Sequence, residues 1–221
     1  MQNKEITFLV FSTDYDYVQV GLVQEGTVRK EVREHKFTAS KNLMPVILSL
    51  LQENNLQWHD LTFLATNQGP GPFTTLRAII TTLNGLTFST NLPLIGVDGL
   101  QVLLQTTHIP QPTLALLNAF GQDVYYAYQT PTEIVSGWEN IDIFLSKHKT
   151  EYGLQPIIIG NGGHHYKAAI LNHLPNATIL DQQAPTLQAI ADQAVQQWHT
   201  HKTSKLLLPL YLKTLLYKQS T

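Results

Sequence analysis

The chain has 221 residues, which is long enough for one large domain or two smaller lobes with a sizeable core. Its formal net charge is -2, so no global field would attract RNA, and the absence of cysteine excludes disulfides and thiolate metal sites. Charged residues make up only 14% of the sequence, and a weakly charged surface is easier to desolvate. The composition therefore mildly favours a protein-binding role.

The N-terminus shows no sign of a targeting segment. Its first residues, MQNKEITFLVF, contain too short an apolar core for a signal peptide. No apolar run approaches the ~18 residues that a membrane-crossing helix needs. We expect a soluble, cytoplasmic protein that makes no membrane contact.

The first part of the chain predicts three strands and a helix. Residues 6–12 form an apolar run, residues 18–22 alternate as a strand does, and residues 28–37 read as a charged edge strand. A helix follows with Ser40 as its N-cap. Its apolar face is formed by Leu43, Met44, Ile47, Leu50 and Leu51.

Residues 61–97 form the segment around which the chain is organised. An apolar run, residues 61–65, leads into the Gly/Pro loop 69–72, and an amphipathic helix starts near Phe73. Gly85 in mid-helix costs about 1 kcal/mol against alanine, which predicts a close backbone approach there. A second apolar run, residues 94–97, completes a strand–loop–helix–strand unit. Right-handed crossover then predicts a parallel pair of strands.

The second half repeats this organisation loosely. A helix is predicted to start at Asp98, and another is predicted to be capped by Thr186. Between them, strands are predicted at residues 113–118, 123–129, 156–160 and 177–180. A glycine turn, residues 160–163, leads into a short helix. The pattern therefore indicates two successive α/β lobes.

Several motifs resemble those of one known family. Residues 69–77, GPGPFTTLR, are similar to the GPGSFTGLR signature of the TsaB/YeaZ family, and Pro72 and Thr75 are the two departures. The continuation PLIGV at 93–97, the glycine turn at 160–162 and PLYLK at 209–213 also resemble that family. Residues 130–155 show no match.

The resemblance implies a two-lobed actin-like ATPase fold, the fold of sugar kinases and chaperone ATPases, with duplicated βββαβα-type lobes. We expect an N-terminal lobe over residues 1–104 and a C-terminal lobe over 105–221. The last segment, from about residue 205, is expected to return to the first lobe.

Several residues that nucleotide chemistry needs are replaced in this sequence. Ser12 stands where the family and the wider fold place an acidic residue, and a neutral hydroxyl is a poor ligand for Mg²⁺. Asp14 and Asp16 follow, but turn chemistry explains both. Asn118 and Phe120 replace the Asp and Arg of a family hairpin. We therefore expect no catalytic residue and no magnesium site.

The histidines do not form a metal site either. The catalytic relative in the same pathway binds its metal through two histidines four residues apart on a helix. None of the nine histidines here are separated by four. No serine lies in a G-x-S-x-G context that would support the peptidase activity once attributed to the family.

The rival interpretation is an ATP-dependent small-molecule kinase or ATPase of the same fold. Under it, one of two glycine turns would bind the nucleotide. The candidate residues are Gly69, Gly71 and Thr74 in the first loop, and Gly160 and Gly162 in the second. Under the preferred interpretation there is no cofactor, and ATP with Mg²⁺ would bind only at an interface with a partner.

The resemblance implies a non-catalytic subunit that binds a TsaD-type threonylcarbamoyltransferase. The resemblance also implies that a TsaE-type ATPase joins the complex and that this chain reaches tRNA only through the complex. The surface that binds the transferase could instead form a homodimer. The family docks through two helices, which here correspond to residues 40–54 and Phe73–Thr90. The predicted partner-binding residues are Leu43, Ile47, Leu50, Leu76, Ile80 and Leu83. A third interpretation is a paralogue that kept the fold but changed its partner, because Pro72 and Thr75 depart from the family signature.

Overall fold

A computed structural model describes residues 6–106, 111–147 and 155–213. Two five-stranded mixed sheets with helices packed on them form two lobes. Among the helices in these ranges, none is long and apolar enough to cross a bilayer. The predicted α/β class is confirmed.

The first sheet is built from the N-terminal half of the chain and has the strand order β3-β2-β1-β4-β5. Its first three strands are antiparallel neighbours, whereas β4 runs parallel to both β1 and β5, as the crossover unit predicts. The strands are β1 (Phe8–Thr13), β2 (Tyr17–Gln24), β3 (Thr27–His35), β4 (Phe63–Gly69) and β5 (Leu94–Asp98).

Helices cover both faces of this sheet. Helices α1 (Lys36–Glu53) and α2 (Phe73–Thr90) pack on one face through Leu9 and Phe11 of β1. The other face of β1, with Phe8 and Val10, packs against helix α7 (Leu187–His199), which follows the second sheet in the chain. The central strands are therefore apolar on both sides, which is why they read as continuous apolar runs.

Helix α1 begins one turn earlier than predicted. It starts at Lys36, with His35 as the N-cap residue, and not after Ser40. The Nδ1 atom of His35 accepts from the backbone amide of Phe37 at 3.5 Å. Strand β3 therefore runs directly into the helix, and Ser40 is an exposed residue within it.

The second sheet repeats the topology of the first. Its order, β10-β9-β6-β7-β8, corresponds strand for strand to β5-β4-β1-β2-β3. The predicted duplication is thus confirmed. Its strands are β6 (Thr113–Asn118), β7 (Asp123–Gln129), β8 (Ile134–Asn140), β9 (Ile157–Ile159) and β10 (Thr178–Ile179). Its helices are α4 (Ile141–Lys147), α5 (Asn161–His165) and α6 (Lys167–His173).

The stretch 130–155, which matches no motif, supplies two elements that the sequence did not predict. Strand β8 forms the edge of the second sheet and pairs with β7 over its whole length. Helix α4 follows it and buries Ile141, Phe144 and Leu145 in the second core. Residues 134–147 of this stretch are therefore regular structure.

Two segments join the lobes. Helix α3 (Gly99–Gln105) leads from β5 toward the second sheet, and Asp98 caps it by accepting from the amides of Leu100 and Gln101. Helix α7 (Leu187–His199), capped by Thr186, returns to the first sheet. The apolar face of α7 thus completes the first core.

Residues 204–213, which we name the strap, run back along the first lobe. Ser204 forms an antiparallel bridge with β5. The side chain of Asn84 on α2 donates to the carbonyl of Leu207 and accepts from its amide, both at 2.9 Å. The Gln68 side chain donates to the next carbonyl of the strap at 2.8 Å. Backbone hydrogen-bonding groups of the strap are thus satisfied by the first lobe.

Gly85 is not explained by a close approach within this chain. It is exposed on α2, and an added Cβ would meet no atom within 4 Å. By contrast, a Cβ on the buried Gly162 would lie 2.9 Å from the carbonyl carbon of Leu116. The prediction of a close approach at Gly85 is wrong for the isolated chain.

This contrast gives a test by equilibrium urea unfolding. We expect Gly85→Ala to raise the free energy of unfolding by about 0.5–1 kcal/mol, because alanine restricts the unfolded chain and favours the helix. The matched substitution Gly162→Ala should lower it, because the added methyl group collides with backbone. A loss of stability in Gly85→Ala would contradict the open environment described for this residue.

Candidate functional site

The two lobes meet where the turn between β1 and β2 faces the turn between β6 and β7. A cavity of about 370 Å³ opens at this junction. Its walls are about equally polar and apolar and come from both halves of the chain, with Asp14 and Arg33 on one side and Asn161 and Gln183 on the other. We name this junction the cleft. It is where the resemblance would place a nucleotide.

Tyr15 lines the cleft and reaches across the junction to the second lobe. Its hydroxyl donates a hydrogen bond to the carbonyl oxygen of Asn118, and its ring lies 5.9 Å from that of Phe120, centroid to centroid. Burial raises the pKa of the Tyr15 hydroxyl above its ordinary value, and the nearby Tyr125 acts in the same direction. The side chain therefore remains neutral and serves as a contact between the lobes.

The second lobe holds the acceptor of this contact rigidly. The backbone amide of Asn118 donates to Oδ1 of Asn161 at 3.0 Å. The hydroxyl of Tyr166 lies within 3.2 Å of the Asn118 side-chain oxygen and of two carbonyls in the same turn. Phe120 at the tip of the turn has a left-handed backbone, with φ of 62°. The turn is therefore fixed against the first lobe.

The acidic residues near Ser12 are engaged in the β1–β2 turn. Oδ1 of Asp14 accepts from the amides of Asp16 and Tyr17 at 2.8 and 2.6 Å, and its other oxygen pairs with Arg33 at 3.1 Å. Asp16 pairs with a lysine at the start of α1, also at 3.1 Å. Ser12 itself is buried, and its hydroxyl has no hydrogen-bond partner among the described residues. The arrangement agrees with the turn interpretation of both aspartates.

The second glycine turn already uses its amides. The backbone amides of Gly160 and Asn161 donate to two carbonyls of the segment before α7, at 2.7 and 2.9 Å. Gly160 has a φ of 94°, and a Cβ there would lie 2.1 Å from the carbonyl oxygen of Leu116. Gly160 and Gly162 are thus glycine because strand β6 passes against them.

The first glycine loop lies elsewhere. The amide of Gly69 donates to Oδ1 of Asn67 at 2.8 Å, and the strap passes over the residue. Gly71 lines a different, apolar cavity, and Thr74 is exposed in the first turn of α2. The structure therefore does not bring the two predicted nucleotide loops together in one cavity. In the ranges that it describes, no three His, Cys, Asp or Glu side chains are grouped to hold a metal ion.

The six predicted partner-binding residues lie in the core. All are buried between the two helices and the first sheet, because each belongs to the face that the sheet covers. They are Leu43, Ile47, Leu50, Leu76, Ile80 and Leu83. These side chains therefore cannot contact a partner in this conformation. A partner of these two helices would have to contact their outer surfaces instead.

The outer surfaces of α1 and α2, which we name the two-helix face, carry large apolar side chains. The exposed fractions are 82% for Phe37, 50% for Leu48, 48% for Phe73 and 90% for Phe88. On α2, a stripe of exposed residues at helical spacing runs from Phe73 to Phe88 and includes Gly85. Such exposed apolar groups mark interaction surfaces when they lie together.

Sequence reasoning missed Tyr15 and these outer residues. Tyr15 lies in a polar turn, and nothing local indicates that it reaches a residue 103 positions away. The sequence does contain a signal for the outer face. Three large apolar residues lie outside the apolar stripes of their helices, so the core does not need them: Phe37, Leu48 and Phe88.

Comparison with known proteins supports the motif interpretation. Residues 32–149 match the model of a family described as TsaD, tRNA N6-adenosine threonylcarbamoyltransferase. The chain is 28% identical over 130 residues to the tRNA threonylcarbamoyladenosine biosynthesis protein TsaB of Haemophilus influenzae. It is 29% identical over 126 residues to the protein of that name in Escherichia coli. These matches cover 58% and 54% of this chain, and 54% and 53% of the two relatives, about half of their length.

Solved structures show the same fold. YeaZ from Pseudomonas aeruginosa superposes with a TM-score of 0.73 at 20% identity, covering 94% of this chain and all of that one. A Listeria monocytogenes protein described as a candidate N-acetylmannosamine kinase gives a TM-score of 0.51 at 12% identity, covering 89% of this chain and all of its own. The predicted actin-like ATPase fold is thus confirmed.

The Tyr15 contact can be tested by unfolding Tyr15→Phe in urea at several pH values. At pH 7 we expect a loss of about 0.5–1.5 kcal/mol, because the Asn118 carbonyl is left without its donor. The raised pKa of the folded state means that wild-type Tyr15 adds stability below the ordinary tyrosine value of about 10 and loses it above. The difference between the two proteins should therefore shrink above pH 10. A difference that stays constant to pH 11 would contradict the burial of this hydroxyl.

Proposed function

The chain belongs to the TsaB/YeaZ family, and on that premise we propose that it is a non-catalytic subunit that binds a TsaD-type threonylcarbamoyltransferase. In this role it supports the formation of threonylcarbamoyladenosine on tRNA. The curated relatives are named for that biosynthesis, and the family match is to the transferase itself.

The observation that carries the proposal is that Tyr15 and Asp14 of the cleft are already engaged within the chain. Tyr15 lies at the junction in which the wider fold binds its nucleotide, and its hydroxyl is committed to Asn118. Ser12 offers no charge to a magnesium ion, and Asp14 is held by two amides and Arg33. A chain with this cleft is better suited to supporting a catalytic relative than to transferring a phosphoryl group.

The two-helix face supplies the proposed docking surface. Phe37 and Leu48 on α1 and Phe88 on α2 expose apolar area that the chain itself does not cover. Two helices of 18 residues each are long enough for an interface above about 1,000 Å². Gly85 leaves room for the close approach of a partner's backbone, since its surroundings within this chain are open. In the partner's absence, two copies could pair through the same face.

The other components of the complex follow from the resemblance. A TsaE-type ATPase supplies the nucleotide chemistry that the cleft of this chain does not support. With a net charge of -2, the chain reaches tRNA only through the complex. Any ATP with Mg²⁺ would bind at an interface with the partner.

The rival function, a small-molecule kinase or ATPase, is distinguished by isothermal titration with Mg-ATP. The proposed function predicts no heat of binding and no turnover for the isolated chain, because Ser12 offers no charge to a magnesium ion and Asp14 is already paired with Arg33. Micromolar binding with ATP hydrolysis would contradict it and favour the kinase.

The docking surface is tested with two charge substitutions, Leu48→Asp and Phe88→Asp, in a pull-down with the TsaD-type paralogue of the same organism. Each should reduce binding at least tenfold, because a carboxylate would be buried in an apolar contact. Both residues are exposed, so the fold should tolerate the change, whereas aspartate at Leu76 or Leu83 would disrupt the core.

The matched control is Ile143→Asp on the second lobe, where an apolar residue is 55% exposed but lies outside the two-helix face. It should bind as wild type does. Normal binding by Leu48→Asp and Phe88→Asp would remove the two-helix face as the docking surface.

A further inference from the structure

A second cavity lies at the N-terminal end of α2, outside the cleft. Its volume is about 530 Å³, and its walls are mainly apolar. The start of α2 forms one side, with Phe73, and the β6–β7 turn forms another, with Phe120 and Tyr125. The strap closes it with Tyr211 and Lys213. This cavity is separate from the cleft.

One wall of the cavity is a preformed stack. The rings of Phe73 and Tyr211 lie 5.4 Å apart at an interplanar angle of 29°, and the guanidinium of Arg77 lies 5.0 Å from the Phe73 centroid. Phe73 and Tyr211 are each about half exposed. Arg, Tyr and Phe held rigidly in this way are typical of the anchor residues of protein interfaces.

The charges at the cavity favour a negatively charged ligand. Among the described residues, Arg77 has no carboxylate within ion-pair distance. The ammonium of Lys213 donates to Asp123 at 2.7 Å and to the carbonyl of Ala119 at 3.3 Å. The Trp138 ring lies 5.5 Å from the same ammonium. A carboxylate entering here would meet Lys213 in the cavity wall and the guanidinium of Arg77 beside Phe73.

The geometry disfavours a single-stranded nucleic acid. Bases need free aromatic faces on which to stack, but Tyr211 and Arg77 both lie against the Phe73 ring, which is about half exposed. The carboxylate of Asp123 beside Lys213 would also repel a phosphate backbone. The cavity suits a compact apolar side chain better than an extended polyanion.

We propose that this cavity receives a bulky apolar side chain of the TsaD-type partner, flanked in the partner's sequence by a carboxylate that pairs with Arg77 and Lys213. The inference rests on the proposed function and adds a second anchor to it. Phe73 and Arg77 lie on the exposed stripe of α2 that leads to Phe88, so one partner surface can contact both. The cavity would fix the register of the partner along the helix.

Gly71 provides a substitution that fills the cavity without removing any contact. A Cβ at this position meets no atom within 4 Å, and its φ lies outside the left-handed region. The following proline favours an extended backbone, which phenylalanine adopts readily.

We expect Gly71→Phe to weaken binding of the paralogue at least tenfold in biolayer interferometry. Arg77→Glu should do the same by reversing the charge, and Lys167→Glu on α6 is the matched control with wild-type affinity.

The outcomes separate this inference from the proposed function. If the wild-type chain does not bind the paralogue, both are overturned. If Phe88→Asp weakens binding while Gly71→Phe and Arg77→Glu remain folded and bind as wild type, only the cavity is overturned.

A photo-crosslinking residue in place of Tyr211 gives an independent test. We expect it to crosslink to a paralogue peptide with an Asp or Glu within two residues of a large apolar side chain. A crosslink to a second copy of this chain or to tRNA, or none to the paralogue, would overturn the inference.

Discussion

The hydrogen bond from Tyr15 to the Asn118 carbonyl joins the two lobes at the turns where they face each other. It connects the first turn of one sheet to the corresponding turn of the other. The second lobe holds the acceptor in place, because Asn161 accepts from the amide of Asn118 and Tyr166 lies against the same turn. Together with helices α3 and α7, this contact determines how the two turns face each other across the cleft.

The second constraint is that α1 and α2 bury one apolar face in the core and carry further apolar residues on the opposite, exposed face. Their inner faces complete the core of the first sheet, so the leucines and isoleucines of that stripe are committed to folding. Their outer faces expose phenylalanine and leucine that the chain itself does not cover. The strap lies against α2 through Asn84, and it links this surface to the aromatic cavity beside Phe73. Folding therefore uses the inner side chains of the two helices and leaves the outer ones for the docking that we propose.

Periodicity predicted much of the fold, because the central strands and α2 repeat apolar residues at regular spacings. It assigned the bounds of α2 correctly, since Pro72 and Asn91 mark both ends. It failed where a contact is distant in sequence. The reach of Tyr15 across 103 residues, and the return of α7 to the first sheet, leave no local pattern. It also nominated six buried side chains as partner contacts, because an apolar stripe identifies the core before it identifies an interface.

Hydrogen–deuterium exchange of the full chain, recorded with the TsaD-type paralogue and separately with Mg-ATP, tests the central claim most directly. The account predicts that the paralogue slows exchange in Lys36–Glu53 and Phe73–Thr90, and that Mg-ATP leaves the turns at Tyr15 and Asn118 unchanged. Protection of those turns by Mg-ATP alone, with no effect of the paralogue on the two helices, would contradict it.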